Sequence, residues 1–201
     1  VCSSDLLMVK EFEQDPQAEI WIYLDLQKKG HSQKAYRQEE MLIQEMIFTK
    51  RPKISLPPAT LEYSVSIGAS LAHYFIRQRR AVGYASAGQT LHVLPAERSE
   101  RQEAKILETL AFVEADGDLS IAGLVSTQAA LLPQGSSVIL ITPTVRSDLL
   151  QAVDDLLFRS VSPIVVLLNA ATFNGPTGTD ELMASLRERR IPVITVDCGA
   201  D

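Results

Sequence analysis

Residues 19–29 read Glu19-Ile20-Trp21-Ile22-Tyr23-Leu24-Asp25-Leu26-Gln27-Lys28-Lys29. Trp21 and Tyr23 alternate with Ile20, Ile22 and Leu24, so an extended backbone here is apolar on both faces. A strand with one wet face alternates polar with apolar residues; a strand covered on both faces does not. The segment therefore predicts a central strand of a sheet with helices on both sides, ending in the carboxylate of Asp25.

The chain beyond it alternates helical and extended patterns. Leu61, Val65, Gly68, Ala72 and Phe75 fall on one helical face, predicting a helix over Leu61–Arg79. Thr60 is its expected N-cap, and Arg77, Arg79 and Arg80 suit the negative end of its dipole. Ala81–Ser86 and Gln89–Pro95 read as two short strands around Ala87-Gly88, a turn short enough to require an antiparallel hairpin. Ser99-x-x-Gln102 has the form of a capping box opening a helix to about Val113. Asp118 is the expected cap of a helix from Leu119 to about Leu131. Strands follow at Ser137–Thr142, Pro163–Leu168 and Ile191–Val196, separated by helices near Arg146–Phe158 and from Thr179 to about Arg190. The fold class is α/β, a doubly wound, mostly parallel six-stranded sheet with helices on both faces and one antiparallel edge strand. The expected strand order is 3-2-1-4-5-6, with the first strand central.

The segment Gln27–Ala59 is unusually long for a strand-to-helix connection, where two to six residues are customary. It is basic: Lys28, Lys29, Lys34, Arg37, Lys50, Arg51 and Lys53 outnumber Glu39, Glu40 and Glu45. Met41, Leu42, Glu45 and Met46 would give it an amphipathic turn, and Pro52, Pro57 and Pro58 break it near the end. The domain is therefore placed at 19–201, with an insertion at 27–59.

A chain of 201 residues with 46% hydrophobic residues has the composition of a globular domain with a substantial core. Its net charge of -6 argues against a general nucleic-acid or anionic-membrane surface. No apolar run approaches the roughly 18 to 20 residues of a spanning helix. Residues 1–18 read as a truncated N-terminal segment. Residues 1–6 back-translate to the end of a common sequencing adapter and are expected to be a sequence artefact. Cys2 and Cys198 are too few for a disulfide framework or a cysteine metal cluster.

Several stretches in order resemble a known family. Leu7-Met-Val-Lys-Glu-Phe-Glu13, Ile20–Asp25, Glu62-Tyr-Ser-Val-Ser-Ile-Gly-Ala-Ser70 and Gly83-Tyr-Ala-Ser-Ala-Gly-Gln-Thr-Leu-His-Val-Leu-Pro95 are similar to the C-terminal half of bacterial domain-of-unknown-function family 58. The resemblance implies a von Willebrand factor type A-like fold. It also implies a membrane-anchored protein whose anchor helices lie upstream, with this domain on the cytoplasmic face of the inner membrane. The implied partner is a MoxR-type AAA ATPase, and no biochemical reaction is implied.

The type A fold can hold a dication on an Asp-x-Ser-x-Ser strand end, a Thr from a neighbouring loop and an Asp after the fourth strand. Here Gln27 and Lys29 stand at the two serine positions, Gly117 falls at or near the threonine, and Pro143 replaces the aspartate. Magnesium requires near-octahedral oxygen coordination, so a degenerate, metal-free site is expected, with Lys29 able to neutralise Asp25. The alternative is a Mg or Mn site built from Asp25, Gln27 and Thr142 with Asp116 or Asp118. Ligands of doubly wound sheets bind at the carboxyl ends of strands, which would gather Asp25, Ser86, Thr142 and Asn169. The candidate ligand- or partner-binding residues are accordingly Asp25, Gln27, Lys29, Thr142 and Thr144, with Met41 and Met46 of the insertion.

Other candidates carry less chemistry. His31, His73 and His92 show no ligand spacing. No nucleophile elbow, Walker loop or dinucleotide glycine fingerprint occurs. Asn174-Gly-Pro-Thr-Gly-Thr179 precedes a helix but lacks a lysine, and reads as a capped loop. The expected function is a non-enzymatic protein-interaction domain. The alternative is a Mg- or Mn-dependent ligand-binding domain or hydrolase using Asp25.

Overall fold

The computed structural model describes residues 18–35 and 56–200. Met41, Met46 and the middle of the 27–59 insertion lie outside the described residues, as do residues 1–17.

Strand β1 (Ile20–Leu24) is buried at all five positions. Trp21 and Tyr23 enter one core cluster and Ile20, Ile22 and Leu24 the other, as the two-faced apolar pattern requires. The remaining strands are β2 (Val82–Ala87), β3 (Leu91–Glu97), β4 (Ser137–Thr142), β5 (Ser162–Leu168) and β6 (Val193–Val196). They form one sheet in the order β3-β2-β1-β4-β5-β6, with β2 and β3 antiparallel and the other neighbours parallel. The helices are α1 (Thr60–Arg77), α2 (Glu100–Ala111), α3 (Ile121–Gln128), α4 (Asp148–Phe158) and α5 (Thr179–Glu188). Tyr63, Ala72 and Ile76 of α1 and Ile106 and Leu110 of α2 cover one face; α3, α4 and α5 cover the other through Leu124, Leu156 and Leu186. Gly83 in β2 lies under the Trp21 indole, where an added Cβ would fall 2.6 Å from the ring.

Three local readings are corrected by tertiary contacts. The N-cap of α1 is Ala59, without a side-chain cap, and Thr60 is the first helical residue. Its hydroxyl faces Ser32, whose backbone N–H donates to it at 2.9 Å. Asp118 does not cap α3. Ser120 does, accepting from the Gly123 N–H at 3.2 Å, because Asp118 is held back in the loop by Gln27, which donates to its carbonyl at 3.1 Å. The helical stretch expected to reach Leu131 ends at Gln128 and tightens into a 3-10 turn over Ala129–Leu131.

The capping box of α2 forms by half. Ser99 accepts from the Gln102 N–H, but the Gln102 side chain turns into the core. Its amide donates to the carbonyls of Val82 at 2.9 Å and Pro95 at 2.7 Å, clamping β2 to β3 where their register shifts. Gln102→Leu keeps the volume and orphans two carbonyls, so we expect a loss of about 2–3 kcal/mol in urea denaturation. A change below about 0.5 kcal/mol would show that the clamp is dispensable.

Candidate functional site

β1 and β4 are neighbours, with Leu24 beside Ile141. The ladder runs one residue further, since Asp25 N–H donates to the Ile141 carbonyl at 3.0 Å. The register therefore sets Asp25 beside Thr142, 117 residues away in sequence. Thr142 Oγ1 donates to Asp25 Oδ2 at 2.5 Å, and the Gln27 backbone N–H donates to Oδ1 at 3.0 Å. Thr142 Oγ1 in turn accepts from the Thr144 N–H, and Thr144 Oγ1 from the Arg146 N–H, two successive hydroxyl turns that shape the loop after β4. Asp25, Thr142 and Thr144 are 2%, 0% and 5% exposed.

His31 closes the other side. Its Nε2 lies 2.8 Å from the Asp25 carbonyl oxygen. A carbonyl only accepts, so Nε2 carries the proton; Nδ1 lies 3.0 Å from Thr60 Oγ1, whose one hydroxyl proton also has the Ser32 carbonyl within reach at 3.2 Å. Burial raises the pKa of Asp25 above the usual carboxylate range, opposed by the hydrogen bonds from Thr142 and Gln27 and by His31. Burial likewise lowers His31 below its ordinary value, opposed by Asp25. Both groups are thus pushed toward their neutral forms. Lys29, expected to neutralise Asp25, points to solvent and forms no ion pair with it among the described residues. Backbone and hydroxyl donors, which cost less to desolvate than an ammonium, have taken its place.

The donor set does not fit a divalent cation. Asp25 supplies one carboxylate whose two oxygens are already hydrogen-bonded. Gln27 sends its side chain to the Asp118 carbonyl, and its backbone bridges Gly117. At Gly117 a Cβ would collide with the Ala87 carbonyl oxygen and lie 3.0 Å from Gly88 Cα, so no hydroxyl-bearing residue fits there. Pro143 is buried and offers no side-chain donor. Asp116 is engaged by Gln89, which reaches its carboxylate through the backbone N–H and its carbonyl through the side chain. Among the described residues no three His, Cys, Asp or Glu side chains converge. Asn169, expected on the same edge, donates to Asp197 at 2.8 Å instead.

The exposed part of this edge sets a lysine pair among carboxylates, with Glu114, Asp118, Asp180 and Glu181 also exposed. Lys28 and Lys29 are exposed, and the Lys28 N–H donates to Gly117 O. Beside them a groove of about 520 Å³ runs between the β2–β3 turn and α2, lined by Leu26, His92, Lys105, Phe112, Glu108, Glu114 and Asp116 among others. The Asn174–Gly178 loop packs on the same edge: a Cβ on Gly175 would collide with Ser32. His31, Thr60 and Ser32 were hidden from sequence reasoning. A lone histidine six residues after a strand-end aspartate has no recognised spacing, and Thr60 looked like a cap.

No family model and no curated protein matches this chain. Solved structures do. The chain is similar to the conserved hypothetical protein BatB from Bacteroides thetaiotaomicron, with 13% identity and a TM-score of 0.58 over 90% of each chain. It is also similar to an aerotolerance-related membrane protein from Bacteroides fragilis carrying multiple mutations to serine. The identity there is 16% and the TM-score 0.57, covering 90% of this chain and 92% of that one. A third similarity, to proximal thread matrix protein 1 of the mussel byssus, has 12% identity and a TM-score of 0.52, covering 90% of this chain and 44% of that one. At these identities the likeness shows the fold: a von Willebrand factor type A-like sheet, mostly parallel with one antiparallel pair.

Proposed function

We propose that this domain is a metal-independent, non-enzymatic protein-interaction module of a membrane-anchored bacterial protein, working with a MoxR-type AAA ATPase from the cytoplasmic face. The observation that carries the reading is the internal use of Asp25. Its carboxylate is buried and bonded to Thr142 and Gln27, so it shapes the edge from within. What the edge offers a partner is the exposed pair Lys28 and Lys29 and the neighbouring groove with Phe112, which is 82% exposed. The lysine pair suits an acidic group on the partner, and Phe112 suits an apolar one. The partner and the membrane anchorage rest on the family resemblance; the solved relative described as a membrane protein agrees with the second.

Calorimetric titration with Mg²⁺ or Mn²⁺ is expected to give no saturable heat below about millimolar concentration, a range that includes weak dication sites. Capture of a MoxR-type ATPase should survive EDTA and fail in Lys28→Glu/Lys29→Glu. Saturable heat that disappears in Asp25→Ala would instead establish the metal-dependent alternative.

A further inference from the structure

The chain's charge is sorted between the two ends of the sheet. Nine of the ten arginines among the described residues lie at the end where the parallel strands begin. Arg77, Arg79 and Arg80 follow or end α1, and the Arg80 guanidinium donates to the Ala18 carbonyl just before β1. Arg159 ends α4, beside Ser160, whose carbonyl accepts from Gly135 ahead of β4. Arg187, Arg189 and Arg190 end α5. Arg98 and Arg101 belong to this end too, because β3 runs back down the sheet and Glu97 pairs with Val82 at the start of β2. Among the described residues, the carboxylates of the connecting loops and last two helical residues there are Glu19, Glu97, Glu100 and Glu188. Asp154 and Glu103, a turn further in, pair with Arg189 and His73; Asp155 lies at the same depth as Asp154. A chain of net charge -6 thus presents a positive face.

The helix dipole accounts for the seven of these arginines at the C-termini of α1, α4 and α5, but not for the other two. Cations are favoured at helix C-termini and disfavoured at N-termini, yet Arg98 and Arg101 flank the N-terminus of α2. Arg79 and Arg190 also hold left-handed backbone, with φ of 59° each, in the position after a helix that glycine fills without strain. On the same face Phe158 is 91% and Leu131 74% exposed.

We propose that this face binds the surface of an anionic phospholipid bilayer, independently of any anchor and of the partner edge. The arginines come from α1 and α2 on one side of the sheet and from α4 and α5 on the other, so they spread across the three layers. That breadth matches a flat anionic surface better than a duplex. Phe158 and Leu131 add apolar groups of the kind that bury at the headgroup boundary. The acidic residues of the opposite edge are a strand length away, roughly 20 Å for six residues. At about 8 Å of Debye length in physiological salt they are screened from the membrane. β1 also begins on this face.

Sedimentation of the 201-residue chain with vesicles tests this. We expect binding to mixed phosphatidylglycerol–phosphatidylcholine vesicles, little to phosphatidylcholine alone, and release by high salt. Arg79→Gly/Arg190→Gly removes two charges and relieves two strained residues. Each arginine near the surface is worth about fivefold, so affinity should fall roughly thirtyfold, while the melting temperature stays at or above that of the parent. Arg79→Lys/Arg190→Lys should retain binding. No sedimentation with the mixed vesicles, equal binding to phosphatidylcholine, or undiminished binding by the glycine variant would each overturn the proposal. So would tighter retention on a DNA duplex than on the vesicles.

Discussion

Gly117→Thr, which restores the residue a type A metal site would carry, should lose about 3 kcal/mol of stability or fail to fold, at the upper end of overpacking costs. Gly117 is held from both sides: its N–H donates to the Leu26 carbonyl at 3.0 Å and its carbonyl accepts from the Lys28 N–H at 2.9 Å. Its α-carbon faces the Ala87–Gly88 backbone, and a Cβ there would strike the Ala87 carbonyl oxygen. Backbone cannot rotate away as a side chain does, so even alanine should be costly. Gly30→Ala is the control, because its Cβ would meet nothing nearer than 3.5 Å. Urea denaturation of the three variants decides the matter. A threonine variant as stable as Gly30→Ala would mean that the close approach at Gly117 does not constrain the edge.

Asp25 should separate shape from charge. In Asp25→Ala the Gln27 N–H and the Thr142 hydroxyl lose their acceptors in a buried place, and we expect a loss of about 2–4 kcal/mol. Asp25→Asn keeps an oxygen for Gln27 and removes the buried charge, so it should lie within about 1 kcal/mol of the parent at neutral pH. The pH dependence carries the sign. The folded pKa of Asp25 is raised, so the folded state holds the proton more tightly than the unfolded state. Relative to Asp25→Asn, the parent should gain stability as pH falls through the raised pKa toward the unfolded value of about 3.9. His31 works in the opposite direction. Its folded pKa is lowered, so stability is lost as pH falls from its unfolded value of about 6.5 through the folded one. Both proteins contain His31, and their difference isolates most of the carboxylate contribution. A difference that stays flat between neutral pH and pH 4 would show that burial does not strain Asp25.

The sheet was legible because each strand announces its own surroundings. Five consecutive apolar residues at Ile20–Leu24 belong between two helical layers. The Ala87-Gly88 turn left β2 and β3 only an antiparallel pairing. Local chemistry misled where a polar side chain served a distant partner. Thr60 faces Ser32 and His31 instead of its own helix, and Gln102 holds two strands instead of completing a cap. A Ser, Thr or Gln at a helix start carries the same donors in either role, and only the tertiary neighbour selects between them.

By itself the sequence determined the layers and the strand order, because periodicity is a local property. Tertiary structure alone decided that Asp25 meets Thr142 across 117 residues, that His31 stacks against the same strand end, and that Gly117 lies under Ala87. It also decided where the charge lies. A net charge of -6 argued against an anionic surface, yet alternating strands and returning helices bring Arg79, Arg98, Arg159 and Arg190 to one end. A sum has no direction, and screened electrostatics acts over about 8 Å, so where the charges are placed outweighs how many there are.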